Sequence, residues 1–405
     1  MKQKAILMLS IVLILNLPVT KADEVEDPKT DLNSKVAALE KKVQQLEEDQ
    51  NTGKTALPNS LKWLEDLKLS ADFRYRYEFI DEDNQDLRHR NRIRARVKIQ
   101  AKVNDDIDFI LRLATGSSGP RSENQTLGES FSNKPVMLDL AYMTWHPSAI
   151  AGLSLVAGKV SNPFYKAGGN QMIWHDAVTP EGGALTYKTS PVQGTEICAT
   201  AGGFWVTESS SFDVGLAGFQ AYVNQELTPE SQLTLGTTYY DFTNIQGQSD
   251  LRSQWDSTAG FYGNSSVGGV YANDYDVFEL FGEVWSKVMD LPLCAYGSWV
   301  KNLGTASGYD QDEAWLIGAK LNKAKAVGTW QAGYNYREVE ADAVVGEFLD
   351  DAPFGGTGGQ GHLGYITYQL AQNTQVVVKY FDMKRYASPN VDINKFRLEF
   401  KIKTK

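Results

Sequence analysis

The sequence predicts an all-β protein, a sixteen-stranded antiparallel transmembrane β-barrel behind a short N-terminal helical or coiled-coil segment. Three observations carry that prediction. Residues 88–103 separate cleanly in steps of two. Arg88, Arg90, Arg92, Arg94, Arg96, Lys98, Gln100 and Lys102 fall on one face, while His89, Asn91, Ile93, Ala95, Val97, Ile99, Ala101 and Val103 fall on the other. A strand sends successive side chains to opposite faces in this way, whereas a helix would spread the cations round its axis. The same alternation recurs from Leu61 to the C-terminus in sixteen candidate strands. Finally, every long connection falls on one side: 116–135, 162–181, 243–272 and 340–360. A soluble sandwich has no reason to sort its loops, whereas a membrane barrel has short turns at one end, longer loops at the other and an even strand count.

In chain order, residues 1–22 read as a secretory signal. Lys2 and Lys4 precede the apolar run Ala5–Leu17 and the small-residue cleavage site Thr20-Lys21-Ala22. That run is too short to span a bilayer as a helix, and no later one approaches the roughly 18–20 residues required. Residues 23–60 form a second segment. Leu32, Val36, Leu39, Val43 and Leu46 recur at spacings of 4, 3, 4 and 3, a coiled-coil seam of about two and a half heptads. It is read either as an amphipathic spacer helix or as a short oligomer clamp, followed by a linker with Gly53 and Pro58.

Residues 61–405 make the barrel. Its candidate strands are 67–80, 88–103, 106–115, 136–146, 153–161, 182–189, 195–207, 212–223, 231–242, 273–288, 292–302, 312–323, 327–339, 361–370, 374–384 and 392–403. The first places Leu69, Phe73, Tyr75 and Tyr77 on one face and Asp72, Arg74, Arg76 and Glu78 on the other. On the second, the unbroken apolar stripe runs from Ile93 to Val103, eleven residues of strand. A tilted membrane strand needs about 9–11. The last repeats the design, with Phe396, Leu398, Phe400 and Ile402 outward and Arg397, Glu399 and Lys401 inward. Trp63, Trp299, Trp315 and Trp330 are expected in interfacial girdles.

An Arg facing lipid at mid-membrane costs roughly 2–4 kcal/mol. The cationic comb must therefore face water, and sixteen strands enclose an aqueous channel. Closing the barrel sets the last strand against the first. Arg74, Arg76, Arg88, Arg90, Arg92, Arg94, Arg96, Lys98, Arg397 and Lys401 then form one basic wall, partly neutralised by Asp72, Glu78 and Glu399.

The chain carries a formal charge of −10; Lys2, Lys4 and Lys21 leave with the signal and no acid does, which makes −13. A basic comb in an acidic protein argues for a local field and against nucleic-acid binding. Cys198 and Cys294 are too few for a disulfide framework and read as wall residues. The four histidines 89, 146, 175 and 362 show no metal-ligand spacing, and no G-x-S-x-G elbow is present. No catalytic residue, metal or cofactor is therefore expected.

The segment 57–78, the run Gly158-Lys-Val-Ser-Asn-Pro-Phe164 and the run Trp174-His-Asp-Ala-Val-Thr-Pro-Glu-Gly-Gly183 occur in this order. On these motifs residues 57–403 resemble the "putative porin" family of Gram-negative bacteria, and the overall design resembles the sixteen-stranded trimeric general porins. The resemblance implies a homotrimer in the outer membrane, with the N-terminal segment in the periplasm. Its surroundings would be outer-membrane lipid and lipopolysaccharide, with cell-wall contact through the helix. It also implies that the third outer loop, residues 162–181, folds into the lumen as a constriction. Tyr165, Lys166, Trp174, His175, Asp176 and Glu181 would line it, with Asp176 or Glu181 facing the arginines. One feature departs from such barrels: they end on an aromatic residue, whereas Lys-Ile-Lys-Thr-Lys405 follows Phe400.

The function expected is passive diffusion of ions and small hydrophilic solutes past an anion-favouring wall. The arginines either line the constriction or merely balance acidic loops such as 81–86. The alternatives are a substrate-specific channel for phosphate or organic anions, and a structural anchor tethering the outer membrane.

Overall fold

The computed structural model describes residues 35–44 and 66–404, apart from 118, 210–211, 253–259 and 351–353. The chain divides into two units, Met1–Glu65 and Asp66–Lys405. In the first, residues 35–44 form an α-helix whose Val36, Leu39 and Val43 are exposed. The other seam positions, Leu32 and Leu46, lie outside the described residues, as do the signal segment, the linker and Trp63.

The second unit is a closed antiparallel barrel. Among the described residues its sixteen strands are β1 Leu67–Glu82, β2 Arg88–Lys102, β3 Ile107–Thr115, β4 Val136–Trp145, β5 Leu153–Lys159, β6 Glu181–Val192, β7 Thr195–Thr207 and β8 Val214–Thr228. They continue as β9 Ser231–Phe242, β10 Tyr275–Val288, β11 Leu291–Asn302, β12 Glu313–Leu321, β13 Trp330–Val339, β14 Gly359–Ala371, β15 Thr374–Arg385 and β16 Val391–Lys403. Each strand pairs with its sequence neighbours, and β1 pairs with β16 from Asp72↔Lys403 to Glu82↔Ile393. The last strand thus has a definite register, Phe400 opposite Tyr75 and Val376, despite its lysine-rich end.

Connections sort by end. One end carries short turns. The other carries loops L1 to L8: 83–87, 116–135, 160–180, 208–213, 243–274, 303–312, 340–358 and 386–390. The strand bounds follow the alternation within a few residues. Two differ for local reasons. Thr329 N–H donates to Ala326 O at 3.0 Å, so a turn occupies 326–329 and delays β13 to Trp330. Glu181 opens β6 rather than ending the third loop, because it is in register with Lys159.

Burial is inverted relative to a soluble protein. Leu69, Phe73, Tyr75, Val97, Trp299, Trp315, Trp330 and Phe400 are exposed on the outer surface, whereas Glu78 and Glu399 are 0% exposed. No core of a soluble protein would bury these carboxylates and expose that belt; a lipid-facing exterior with a polar interior does. No helix among the described residues is long and apolar enough to cross a membrane.

The apolar core sits inside the barrel, built around the inward-packed loops and reaching Leu363, Phe381, Met383 and Ile393 of β14 to β16. Phe164, Met172, Trp174 and Val178 of L3 pack with Ile245, Leu251 and Tyr271 of L5 and Val344, Val345, Leu349 and Phe354 of L7. Beneath them lie Phe204, Leu216, Tyr240, Phe281, Tyr296 and Leu316 of the wall. Cys198 and Cys294 are buried and free.

Candidate functional site: a basic wall inside the barrel

The site is a product of register. Strand parity turns alternate residues inward, and the closing pair β1–β16 joins the two chain ends. One inward row crosses five strands as Tyr365, Lys379, Arg397, Glu78 and Arg90. The next reads Thr367, Val377, Glu399, Arg76 and Arg92. A third, over four strands, reads Gln375, Lys401, Arg74 and Arg94. Cations opposite one another on neighbouring strands repel, so carboxylates must be threaded between them.

Glu78 meets Arg90 at 2.6 Å, Arg397 at 2.7 Å, Arg76 at 3.2 Å and Arg92 at 3.9 Å. Glu399 meets Arg76 at 2.6 Å, Lys401 at 3.1 Å and Arg74 at 3.9 Å. Asp72 receives Arg94 and Arg96, each at 2.8 Å.

The fourth carboxylate comes from a loop. L2 doubles back so that Gln125 and Thr126 pair with β2 opposite Ile93 and Arg92. The Thr115 hydroxyl donates to Glu123 O at 2.9 Å, and the buried Glu123 side chain enters the comb. It takes Arg94 and Arg96 at 3.1 Å and Arg112 at 3.6 Å. Arg112 also pairs with Asp139 of β4. Arg92 donates to Ser122 Oγ at 3.1 Å and Asn124 O at 3.2 Å, and Arg74 to Asn124 Oδ1 at 2.5 Å. Arg88 lies exposed at the loop end, in register with Ile80, and half-buried Lys98 lies opposite Ser70.

L3 packs against inward side chains of the opposite wall. Tyr165 N–H donates to Gln220 Oε1 at 2.7 Å, and Gln220 Nε2 returns a bond to Tyr165 O at 2.9 Å. The Tyr165 ring lies 4.9 Å from Tyr222 and 5.7 Å from Phe281. A 3-10 turn, Ala167–Gly169, then crosses the Tyr296 ring. Gly168 is held on both sides, its N–H donating to Glu283 at 2.5 Å and its carbonyl accepting from Lys320. Trp174 stacks on Phe348 of L7 at 5.6 Å, and His175 N–H donates to Phe348 O at 2.7 Å. Asp176 pairs with Lys166 at 2.5 Å inside the loop, and Glu181 pairs with Lys159 at 2.7 Å.

A cavity of about 590 Å³ lies between L3 and the basic wall. Eight arginines and six lysines line it, against three carboxylates, Glu123, Asp176 and Asp350, one each on L2, L3 and L7. Glu181 lines a different cavity, against Thr115, Met137 and Trp205. Arg74, Arg76, Arg90, Arg92, Arg94, Arg397, Lys401, His175 and Asp176 share the first cavity. Sequence reasoning missed Lys379, Lys395, Arg337, Arg112 and Glu123. Strand parity held a signal for the first three, since Lys379 lies between outward Val378 and Tyr380. Glu123, in an aperiodic loop, offered none. Among the described residues no group of three or more His, Cys, Asp or Glu is placed to hold a metal ion.

The family model described as "Putative porin" matches residues 80–271 and 294–404. No curated protein matches the chain. Among solved structures, OprB of Pseudomonas putida is similar at 13% identity and a TM-score of 0.57, over 88% of this chain and 97% of that one. OmpF of Salmonella typhi, solved with daunomycin, is similar at 14% identity and a TM-score of 0.51, over 84% of this chain and 97% of that one.

Proposed function

The chain belongs to the "putative porin" family, and from that premise we propose an outer-membrane channel for passive diffusion of ions and small hydrophilic solutes, selective for anions. The short-turn end would face the periplasm, with the N-terminal segment, and L1 to L8 the exterior. The channel would assemble as a homotrimer.

The carrying observation is a charge imbalance. On the wall from β16 to β4, nine ion-paired cations (Arg74, Arg76, Arg90, Arg92, Arg94, Arg96, Arg112, Arg397 and Lys401) share five carboxylates, Asp72, Glu78, Glu123, Asp139 and Glu399. Fixed positive excess in a narrow aqueous passage concentrates mobile anions and repels cations. L3, packed inward by its Gly168 grip, would be the constriction opposite this wall. The acid meeting the comb would be Glu123 of L2 rather than Asp176 or Glu181, since those two are held by lysines of L3 and β5. Catalysis has no part in this reading.

The test is the reversal potential of single channels in a planar bilayer under a potassium chloride gradient. Wild type should be anion-selective. Replacing Arg92, Arg94 and Arg96 together by Ser removes three positive charges and leaves Asp72 and Glu123 behind, so the anion-to-cation permeability ratio should fall. An unchanged reversal potential would remove the comb from the ion path, and a silent bilayer with well-folded protein would sink the channel itself.

A further inference from the structure

The imbalance is not uniform along the lumen. All three carboxylates lining the cavity stand on the long loops, whereas the arc formed by β14 to β16 contributes Lys379, Lys395, Arg397 and Lys401 and no cavity-lining acid. Within that arc Lys379 is the unusual member. It faces Arg397 directly across β15–β16, a repulsive juxtaposition. Among the described residues it donates no hydrogen bond, and no carboxylate lies within 4.0 Å of it. Among the described residues Arg397 has one carboxylate within 4.0 Å, Glu78, which it shares with three other arginines. Tyr365 stands beside Lys379 in the same row, its ring lying over the bare backbone of Gly333, where a Cβ would come within 2.2 Å. The surrounding lining, Thr367, Val377 and Gln375, is neutral.

We propose that Lys379 and Arg397, with Lys401 and Arg74 just beyond, form a binding site for a divalent oxyanion inside the channel. Five cations there, Arg74, Arg76, Lys379, Arg397 and Lys401, have two carboxylates, Glu78 and Glu399. A dianion satisfies the excess with one ligand, and an Arg fork with an adjacent ammonium suits a phosphate or carboxylate group. The site rests on the basic-channel reading and adds saturable occupancy to it.

The experiment measures single-channel chloride current while inorganic phosphate at pH 8, or succinate, is added. A saturable block by either identifies the site. Block by phosphate alone assigns it to tetrahedral oxyanions, and block by both to divalent oxyanions in general. Lys379→Gln should raise the half-blocking concentration about tenfold or more, as loss of a hydrogen bond to a charged group implies. Lys401→Gln should raise it less. Lys384→Gln, on the outward face, should leave it unchanged. Retained chloride conductance shows each variant is folded; if Lys379→Gln does not fold, Lys379→Arg, which keeps the charge, must preserve block. An anion-selective reversal potential without any block overturns this site alone, as does equal block in Lys379→Gln. A cation-selective reversal potential overturns the channel reading beneath it.

Discussion

Glu78 and Glu399 show how single residues hold this wall together. Both are fully buried, and each is the common acceptor for three or four cations. Removing one partner of a buried ionic network costs about 3–5 kcal/mol, because the remaining charges stay desolvated and unpaired. Glu78→Gln strands Arg76, Arg90, Arg92 and Arg397 at once and should lower the free energy of barrel unfolding, measured by urea titration in detergent, by an amount in that range. An unfolding free energy within about 0.5 kcal/mol of wild type, the range of ordinary surface substitutions, would mean lumen water already screens these charges. Glu123→Gln acts differently, since its carboxylate comes from a loop and borders the cavity. It should leave the barrel folded and shift the reversal potential further toward anion selectivity; a shift toward cations would contradict the charge assignment. At this scale much was legible. Parity alone set Asp72, Glu78 and Glu399 among the arginines, because one period governs both. Glu123 was not legible: the reversal of L2 that delivers it depends on Thr115, Ser122 and Asn124 contacts that no spacing encodes.

Among the elements, L3 depends most on one residue. Gly168 has φ +59, and a Cβ there would meet the Tyr296 ring at 2.2 Å. Its two backbone groups are taken by Glu283 and Lys320. An Ala in left-handed backbone costs roughly 1–2 kcal/mol before any clash. Gly168→Ala should therefore unseat the turn from Tyr296. If L3 is the constriction, single-channel conductance rises and current noise increases; conductance equal to wild type would place the narrowest point elsewhere. The sequence marked this loop by its length and its aromatic and charged residues, yet its receptor was hidden. Gln220, Glu283, Tyr296 and Lys320 lie on β8, β10, β11 and β12, and their inward parity gives no hint of which loop reaches them. The same limit applies to L5 and L7. Asn264 of L5 donates to Ala341 O at 2.7 Å and Val344 O at 2.8 Å, and Arg121 of L2 lies 3.9 Å over Tyr262. These contacts are long-range and aperiodic, so the apolar cap inside the barrel was invisible in a sequence whose strands could be read almost residue by residue.

On the scale of the whole molecule, an apolar loop mass and a basic cavity share the lumen. Loops L3, L5 and L7 contribute an apolar and aromatic mass, and the cavity beside L3 is lined by arginines and lysines. A low-dielectric wall facing a charged one concentrates the field in the water between them. That arrangement fixes how selectivity should depend on salt. The Debye length is about 10 Å at 0.1 M and about 3 Å at 1 M ionic strength. If the wall selects as proposed, its field at 0.1 M reaches about 10 Å into the passage and should hold cations back. At 1 M it reaches about 3 Å, only the layer next to the wall, and the centre of the passage should admit both ions. The permeability ratio measured at a constant concentration gradient should therefore decline toward unity as mean salt rises from 0.1 to 1 M. The Arg92, Arg94 and Arg96 triple replacement should flatten that dependence. Selectivity that holds constant across the same range would instead require ions to bind the wall directly, with their water displaced, and diffusion past a fixed field would no longer describe the channel.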